Sequence, residues 1–112
     1  MADKKLVVVS LDAMGFDDMN EWIDQAPHLK ALRNRGSWVK HVQGIFPTLT
    51  YPSHTSIITG QYPAIHGIVN NTKLQPNRLS PDWYWYRKDV KATPLFDVAH
   101  DHGMTTAAFY GR

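Results

Sequence analysis

The sequence contains no cysteine, and this absence excludes disulfide bonds, thiolate metal sites and cysteine nucleophiles. It also carries little excess charge, because 12 basic and 10 acidic side chains leave a formal net charge of +2. These charges are spread along the chain, so they give no signal specific for nucleic acid or for an anionic membrane. The 43% share of hydrophobic residues is ordinary for a soluble globular domain.

Long hydrophobic runs are absent as well. The longest run of apolar and small residues, Leu6–Leu11, is too short for the core of a signal peptide or for a membrane span, and Asp12 ends it. We therefore expect a protein without a membrane segment. We expect it to be cytoplasmic, or exported with its signal peptide already removed.

Local signals predict strands and helices that follow one another along the chain. The valine-rich first run is typical of a strand buried on both faces of a parallel sheet, while proline near a helix start and glycine after its end mark helices. The predicted elements are a strand at Leu6–Leu11, a helix at Pro27–Arg35, a strand at Ser37–Val42, a helix at Thr50–Gly60, a helix that opens at Thr93 and Pro94 and stops at Gly103, and a strand at Met104–Tyr110. This order predicts an α/β layered fold with a mostly parallel sheet flanked by helices.

No predicted helix follows the last strand, although a parallel sheet needs helices on both faces. We therefore expect residues 1–112 to be the N-terminal part of a single, apparently truncated domain. An uncovered sheet would also favour self-association, so a homo-oligomer is an open alternative.

The hydroxyl of Thr50 has two interpretations, because this residue precedes a short helix that Pro52 opens and Gly60 closes. The first is structural, since threonine is a favoured helix cap and proline suits the first turn. The second is chemical, since a helix N-terminus concentrates N–H groups and positive potential that suit a phosphate or sulfate. A threonine in this place is far more often a cap than a nucleophile, so both interpretations stay open.

Two further residues favour the chemical interpretation. Asp12 falls at the carboxyl end of the first predicted strand, where ligands bind in open α/β sheets and a carboxylate could hold a metal. A metal beside Thr50 would lower the pKa of its hydroxyl and favour the alkoxide. Asn71 lies in a loop 21 residues after Thr50, and its amide could donate to a phosphoryl oxygen, although asparagine pairs are also ordinary turn formers.

Several short motifs together resemble the type I phosphodiesterase/nucleotide pyrophosphatase family of the alkaline phosphatase superfamily. They are LVVVSLD at 6–12, PTLTYPSH at 47–54, TGQYP at 59–63, HGI at 66–68 with Asn71, and LFD at 95–97. The resemblance runs along nearly the whole chain. It implies an alkaline phosphatase-like catalytic domain that hydrolyses phosphodiester or pyrophosphate bonds in small phosphate esters or nucleotides.

The resemblance also implies roles for particular residues. Asp12 matches a metal-binding aspartate, and Thr50 matches a nucleophile that also contacts a metal. Asn71 matches the asparagine that holds the phosphoryl group together with the backbone N–H after the nucleophile. Tyr51 matches an aromatic residue that lines the leaving-group or base pocket. Members of the family use two zinc ions and a covalent phospho-threonine intermediate.

The remaining zinc ligands of the family lie downstream of this chain. Zinc normally takes three or four protein ligands, so we expect at most one partial metal site here and little or no activity from the 112 residues alone. His100-Asp101-His102 is more typical of a polar helix end than of a ligand set. His54 and His66 are interpreted as structural, and the aromatic run Trp83–Tyr86 as packing, with a stacking surface as the alternative.

Other functions remain as alternatives. A phosphomonoesterase of the same superfamily would share the motifs, and a non-catalytic fragment that self-associates would need no complete site. A sulfatase is disfavoured because Thr50 and His54 stand where cysteine or serine and arginine are expected. A dinucleotide-binding fold is disfavoured because no Gly-x-Gly-x-x-Gly follows the first predicted strand.

Overall fold

The computed structural model describes residues 5–109 and divides the chain into two compact units, Met1–Gln43 and Gly44–Arg112. The α-helices are α1 (Phe16–Trp22), α2 (Pro27–Arg35), α3 (Thr50–Thr59), α4 (Pro63–His66) and α5 (Leu95–Asp101), and short 3-10 helices lie at Ile23–Gln25 and Arg87–Asp89. All three predicted helices are therefore confirmed, whereas α1 and α4 were not predicted.

The helices of the first unit begin with local signals. The Asp18 carboxylate accepts a hydrogen bond from the Gly15 N–H at 2.8 Å, which satisfies a backbone donor at the start of α1. Pro27 occupies the first turn of α2, where its missing N–H costs nothing. The rings of Phe16 and Trp38 stack with centroids 5.9 Å apart, and the Arg33 guanidinium lies 4.4 Å from the centre of the Trp38 ring. Both contacts stay within this unit.

The core of the second unit is small and forms where α3 packs against α4 and against α5. Its most deeply buried side chains are Pro52, His66, Ile68 and Pro94. Glycine ends α3, because Gly60 adopts the left-handed conformation (φ 65°) that other residues rarely adopt.

The predicted layered parallel sheet is wrong. Among residues 5–109 there is no strand, and the only β-pairing is an isolated antiparallel bridge between Thr72 and Trp83. The run Leu6–Leu11 is irregular and exposed, with Val7 80% and Val9 74% accessible.

The other two predicted strands are also absent. Ser37–Val42 is irregular, and so is 104–109, while Tyr110 lies outside the described residues. A strand in a parallel sheet takes its hydrogen bonds from neighbouring strands and its burial from helices on both faces. No such neighbour or cover exists in the described part of the chain, and valine-rich composition alone cannot hold a strand.

None of the helices within 5–109 is long and apolar enough to cross a membrane.

Candidate active site

Thr50 is the first residue of α3 and is half-buried. The preceding Leu49 has the extended backbone of a helix cap (φ −104°, ψ 154°), and its own side chain makes no cap hydrogen bond. The prediction that Thr50 is the cap is therefore wrong by one position, because the chain enters the helix one residue earlier. His54, one turn later, donates from Nδ1 to the Thr50 carbonyl oxygen at 2.8 Å.

Asn71 lies beside the residue that follows Thr50. The Tyr51 backbone N–H donates to Asn71 Oδ1 at 2.9 Å, across 20 residues of sequence. Because an N–H can be bonded only by an acceptor, this contact fixes which end of the amide is the oxygen. The amide NH₂ of Asn71 is therefore the end that can donate to another group near the start of α3. Thr50, Tyr51 and Asn71 come together at this place.

The loop around Asn71 is held by its own backbone contacts. Asn70 Oδ1 accepts from the Asn71 N–H at 2.8 Å, and the Tyr84 N–H donates to the Asn71 carbonyl oxygen at 3.2 Å. The bridge between Thr72 and Trp83 follows immediately. The loop that carries Asn71 is thus tied to the aromatic run that begins at Trp83.

Three aromatic rings contact one another at the first turn of α3, where one of them belongs to Tyr51. We call Tyr51, Trp83 and Trp85 the aromatic cluster. Tyr51 contacts Trp83 edge-on with centroids 5.4 Å apart and Trp85 edge-on at 6.1 Å. Such edge-to-face pairs add roughly 0.5–1.5 kcal/mol beyond the area they bury. Trp83 and Trp85 pack on Tyr51, yet they remain 42% and 67% exposed. A partly exposed aromatic surface therefore includes Tyr51, the residue that follows Thr50.

Two pairs of oppositely charged side chains form within the loop between Thr72 and Val90, Lys73 with Asp89 and Arg78 with Asp82. Lys73 Nζ lies 2.9 Å from the Asp89 carboxylate, which raises the pKa of Lys73. Gln75 donates to the Asp82 carboxylate at 3.0 Å, and this bond lowers the pKa of Asp82 with help from Arg78. Arg87 pairs instead with Asp97 in α5, so the loop as a whole keeps more basic than acidic side chains.

Asp12 lies in the other unit. It is exposed and sits at a turn in which the Ala13 N–H donates to Asp12 Oδ1 at 3.0 Å and Ala13 has a positive φ of 58°. The strand that was expected to precede it is absent.

The described residues do not make a closed metal site. Between residues 5 and 109, no three histidine, aspartate or glutamate side chains come close enough to share an ion. His102 at the end of α5 donates from Nδ1 to the Val98 carbonyl oxygen at 2.8 Å. A zinc site would therefore need ligands beyond those that this part of the chain brings together.

Sequence reasoning did not foresee the bonds of the His66 side chain. His66 is 0% exposed, and its ring bonds to Ser56 in α3 and to the Ile68 backbone. The stretch from Pro63 to Gly67 did contain helix start and stop signals that would have revealed α4. The pairing with Ser56, ten residues away, depends on packing and left no sequence signal.

Comparison with known proteins identifies the family. The family model for type I phosphodiesterase/nucleotide pyrophosphatase matches residues 6–111. The chain belongs to this family. The resemblance read from the motifs is thereby confirmed.

Curated members of the type I phosphodiesterase/nucleotide pyrophosphatase family match the chain along most of its length. Ectonucleotide pyrophosphatase/phosphodiesterase family member 1 of Homo sapiens is 28% identical over 93% of this chain and 12% of its own length. A venom phosphodiesterase of Macrovipera lebetinus is 32% identical over 94% of this chain and 13% of its own. A bis(5'-adenosyl)-triphosphatase of Pongo abelii is 43% identical over 61% of this chain and 15% of its own. The chain thus spans about an eighth of the length of these relatives.

Proposed function

We propose that the protein hydrolyses phosphodiester or pyrophosphate bonds of nucleotide-type substrates through a covalent intermediate on Thr50. The observation that carries this proposal is the 2.9 Å hydrogen bond between the Tyr51 N–H and Asn71 Oδ1. This bond brings Asn71, which matches the family's phosphoryl-binding asparagine, to the residue that follows Thr50, which matches its nucleophile. Membership of the family supports the reaction type, and the names of the curated relatives support nucleotides as the substrate class.

The residues divide the reaction between them. The Thr50 hydroxyl gives up its proton, its oxygen attacks phosphorus, and the bond from phosphorus to the leaving group breaks, so that the leaving group departs with a proton. A water then attacks phosphorus, the bond from phosphorus to the Thr50 oxygen breaks, that oxygen takes a proton from the water, and a phosphate monoester is released. The Asn71 NH₂ group donates to the phosphoryl oxygens as their charge grows, which is the kind of stabilisation that phosphoryl transfer needs most. The Tyr51 ring borders the place of the leaving group or base.

Two divalent metal ions, for which zinc is our prediction, would activate the nucleophile and neutralise the phosphoryl charge when bound. This chain would contribute Asp12 and Thr50 to them. The described residues do not complete either site, so we propose that the 112 residues form the N-terminal part of one catalytic domain and turn over little or no substrate alone.

The test compares a diester with a monoester. Bis-p-nitrophenyl phosphate and p-nitrophenyl phosphate are given, with zinc added, to the 112-residue chain and to a gene-length form of the protein. We expect the gene-length form to prefer the diester and the short chain to be inactive. Preference for the monoester would instead make the protein a phosphomonoesterase. If the gene-length form hydrolysed neither ester, the proposal would be contradicted. Turnover by the 112-residue chain would contradict the expectation that this chain alone is inactive.

Asn71 can be tested with two substitutions that separate its donor from its acceptor. Asn71→Asp keeps an oxygen for the Tyr51 N–H but removes the NH₂ group, whereas Asn71→Ala removes both. If the NH₂ group binds the phosphoryl oxygens, we expect both variants of the gene-length form to lose about 10²-fold in kcat. Steady-state kinetics with bis-p-nitrophenyl phosphate measures this loss.

Asn70→Asp is the matched control for the added charge. It keeps an acceptor for the Asn71 N–H and leaves the Asn71 side chain intact, so we expect its kcat to fall far less than that of Asn71→Asp. An Asn71→Asp variant with normal kcat would show that the oxygen alone is needed and that the amide donates nothing to substrate.

A further inference from the structure

The buried side chain of His66 bonds both to the helix that carries Thr50 and to the segment that carries Asn71. The Ile68 N–H donates to His66 Nδ1 at 3.1 Å. A neutral imidazole whose Nδ1 accepts carries its proton on Nε2, so His66 donates from Nε2 to Ser56 Oγ at 3.0 Å. One ring nitrogen is thus bonded to α3 and the other to the chain that leads towards Asn71.

The backbone on both sides of this junction is held as well. The Lys91 N–H donates to the His66 carbonyl oxygen at 2.9 Å, and Ile68 is 1% exposed. Only three residue steps separate Ile68 from Asn71, so their Cα atoms lie no more than about 11 Å apart even in an extended chain. The position of Ile68 therefore limits where the Asn71 side chain can reach.

We propose that His66 is a positioning residue for the candidate site. Through Ser56 and Ile68 it holds the segment Ile68–Asn71 against α3, and this keeps the Asn71 amide at the Tyr51 N–H. The catalytic consequence rests on the proposed function. The positioning itself does not, because the bond between Tyr51 and Asn71 can be measured without any reaction.

If His66 only filled the core, its substitution would have a different effect. Loss of the side chain, or of its bond to Ser56, would then weaken the hydrogen bonds of α3 along the whole helix. A positioning residue predicts a local result, in which the contact at the first turn of α3 weakens while the last turn keeps its protection. Each of these two turns contains one backbone N–H whose exchange rate reports its local stability. The Tyr51 N–H bonds Asn71 Oδ1, and the Gly60 N–H bonds the Ser56 carbonyl oxygen at 2.8 Å.

Amide hydrogen exchange of the 112-residue chain, followed residue by residue by NMR, distinguishes these possibilities. The Tyr51 N–H lies in the first turn, where no intrahelical acceptor is available, so its protection reports the Asn71 contact. Ser56→Ala removes the acceptor for His66 Nε2–H, and His66→Asn shortens the side chain so that it no longer reaches Ser56. We expect exchange of the Tyr51 N–H to accelerate about tenfold in both variants, while that of the Gly60 N–H changes less than about threefold.

Thr59→Ala is the matched control, because it removes another hydroxyl hydrogen bond of α3, from Thr59 Oγ1 to the Thr55 carbonyl oxygen at 2.6 Å. It should leave exchange at Tyr51 unchanged. Asn71→Ala is the positive control and should accelerate exchange at Tyr51 at least as much as Ser56→Ala does. Unchanged exchange at Tyr51 in both Ser56→Ala and His66→Asn would overturn the positioning role, and so would equal acceleration at Tyr51 and Gly60.

Kinetics of the gene-length form test the catalytic consequence. We expect Ser56→Ala to lower kcat for bis-p-nitrophenyl phosphate about tenfold with little change in KM, and to lower it no further when Asn71→Ala is already present, because both changes then act through one contact. Independent, additive losses would overturn this consequence. An inactive unaltered protein that shows the expected exchange pattern would refute the proposed function and leave the positioning role supported.

Discussion

Replacing Thr50 with alanine is expected to lower kcat for bis-p-nitrophenyl phosphate by about 10³-fold or more in the gene-length form, because the proposed attacking oxygen is removed. Thr50→Ser keeps an oxygen at the same place and should retain part of the activity. Steady-state kinetics measures both. Acid-quenched protein, digested and analysed by mass spectrometry, should carry a phosphoryl-derived mass increase on the peptide that contains Thr50, and Thr50→Ala should lack it.

Thr48→Ala is the matched control for this prediction. Thr48 is an exposed threonine two residues before Thr50 and lies outside α3. Its replacement should leave kcat within about twofold, since exposed substitutions away from the site have small effects. If Thr50→Ala keeps more than a tenth of the activity, a different group attacks phosphorus, and the hydroxyl of Thr50 has no role as nucleophile.

Replacing His66 with alanine is expected to lower the free energy of unfolding of the 112-residue chain by about 3 kcal/mol, which combines a cavity in the core with two unmade hydrogen bonds. His66 is 0% exposed, so the surrounding side chains would have to collapse to fill the space. Urea unfolding followed by circular dichroism measures the change. His28→Ala, at an exposed position in α2, should change the same quantity by less than about 0.5 kcal/mol.

The loss of unfolding free energy caused by His66→Ala should also depend on pH, because burial lowers the pKa of His66 below its ordinary value of 6.5. The unfolded chain binds a proton near 6.5 and the folded chain only at lower pH. The contribution of His66 to stability is therefore fully present above 6.5 and is lost as pH falls through the lowered pKa of the folded state. The difference in unfolding free energy between the unaltered chain and His66→Ala should become smaller below pH 6.5. A difference that widens on acidification would contradict a neutral buried ring.

The helices could be predicted from the sequence because their signals are local. Pro27 at the start of α2 and Gly60 at the end of α3 act within one turn, and the structure places both helices as predicted. The strands could not, because a strand depends on partners elsewhere. The run Leu6–Leu11 has the composition of a buried strand, yet no neighbouring strand pairs with it among the described residues.

The candidate site shows the same division between local and distant information. Motifs identified Thr50 and Asn71, and these residues do lie at one place, since Asn71 bonds the N–H of the residue after Thr50. The motifs could not show that the backbone N–H and the asparagine expected to grip a phosphoryl group are bonded to each other. Nor could they show that His66 joins α3 to the Asn71 segment, because that bond is made only when α3 and α4 pack.

The bond between the Tyr51 N–H and Asn71 has a consequence for selectivity between ground state and transition state. A substrate oxygen that takes this N–H replaces the Asn71 oxygen as its acceptor. An ester oxygen with little charge gains little from the exchange, since net hydrogen-bond energies between neutral groups are only about 0.5–1.5 kcal/mol. An oxygen that has gained charge during phosphoryl transfer competes better, because charge-assisted bonds are roughly twice as strong. In the proposed reaction the resting contact would therefore penalise the substrate more than the transition state, and an interaction of that kind raises kcat rather than affinity.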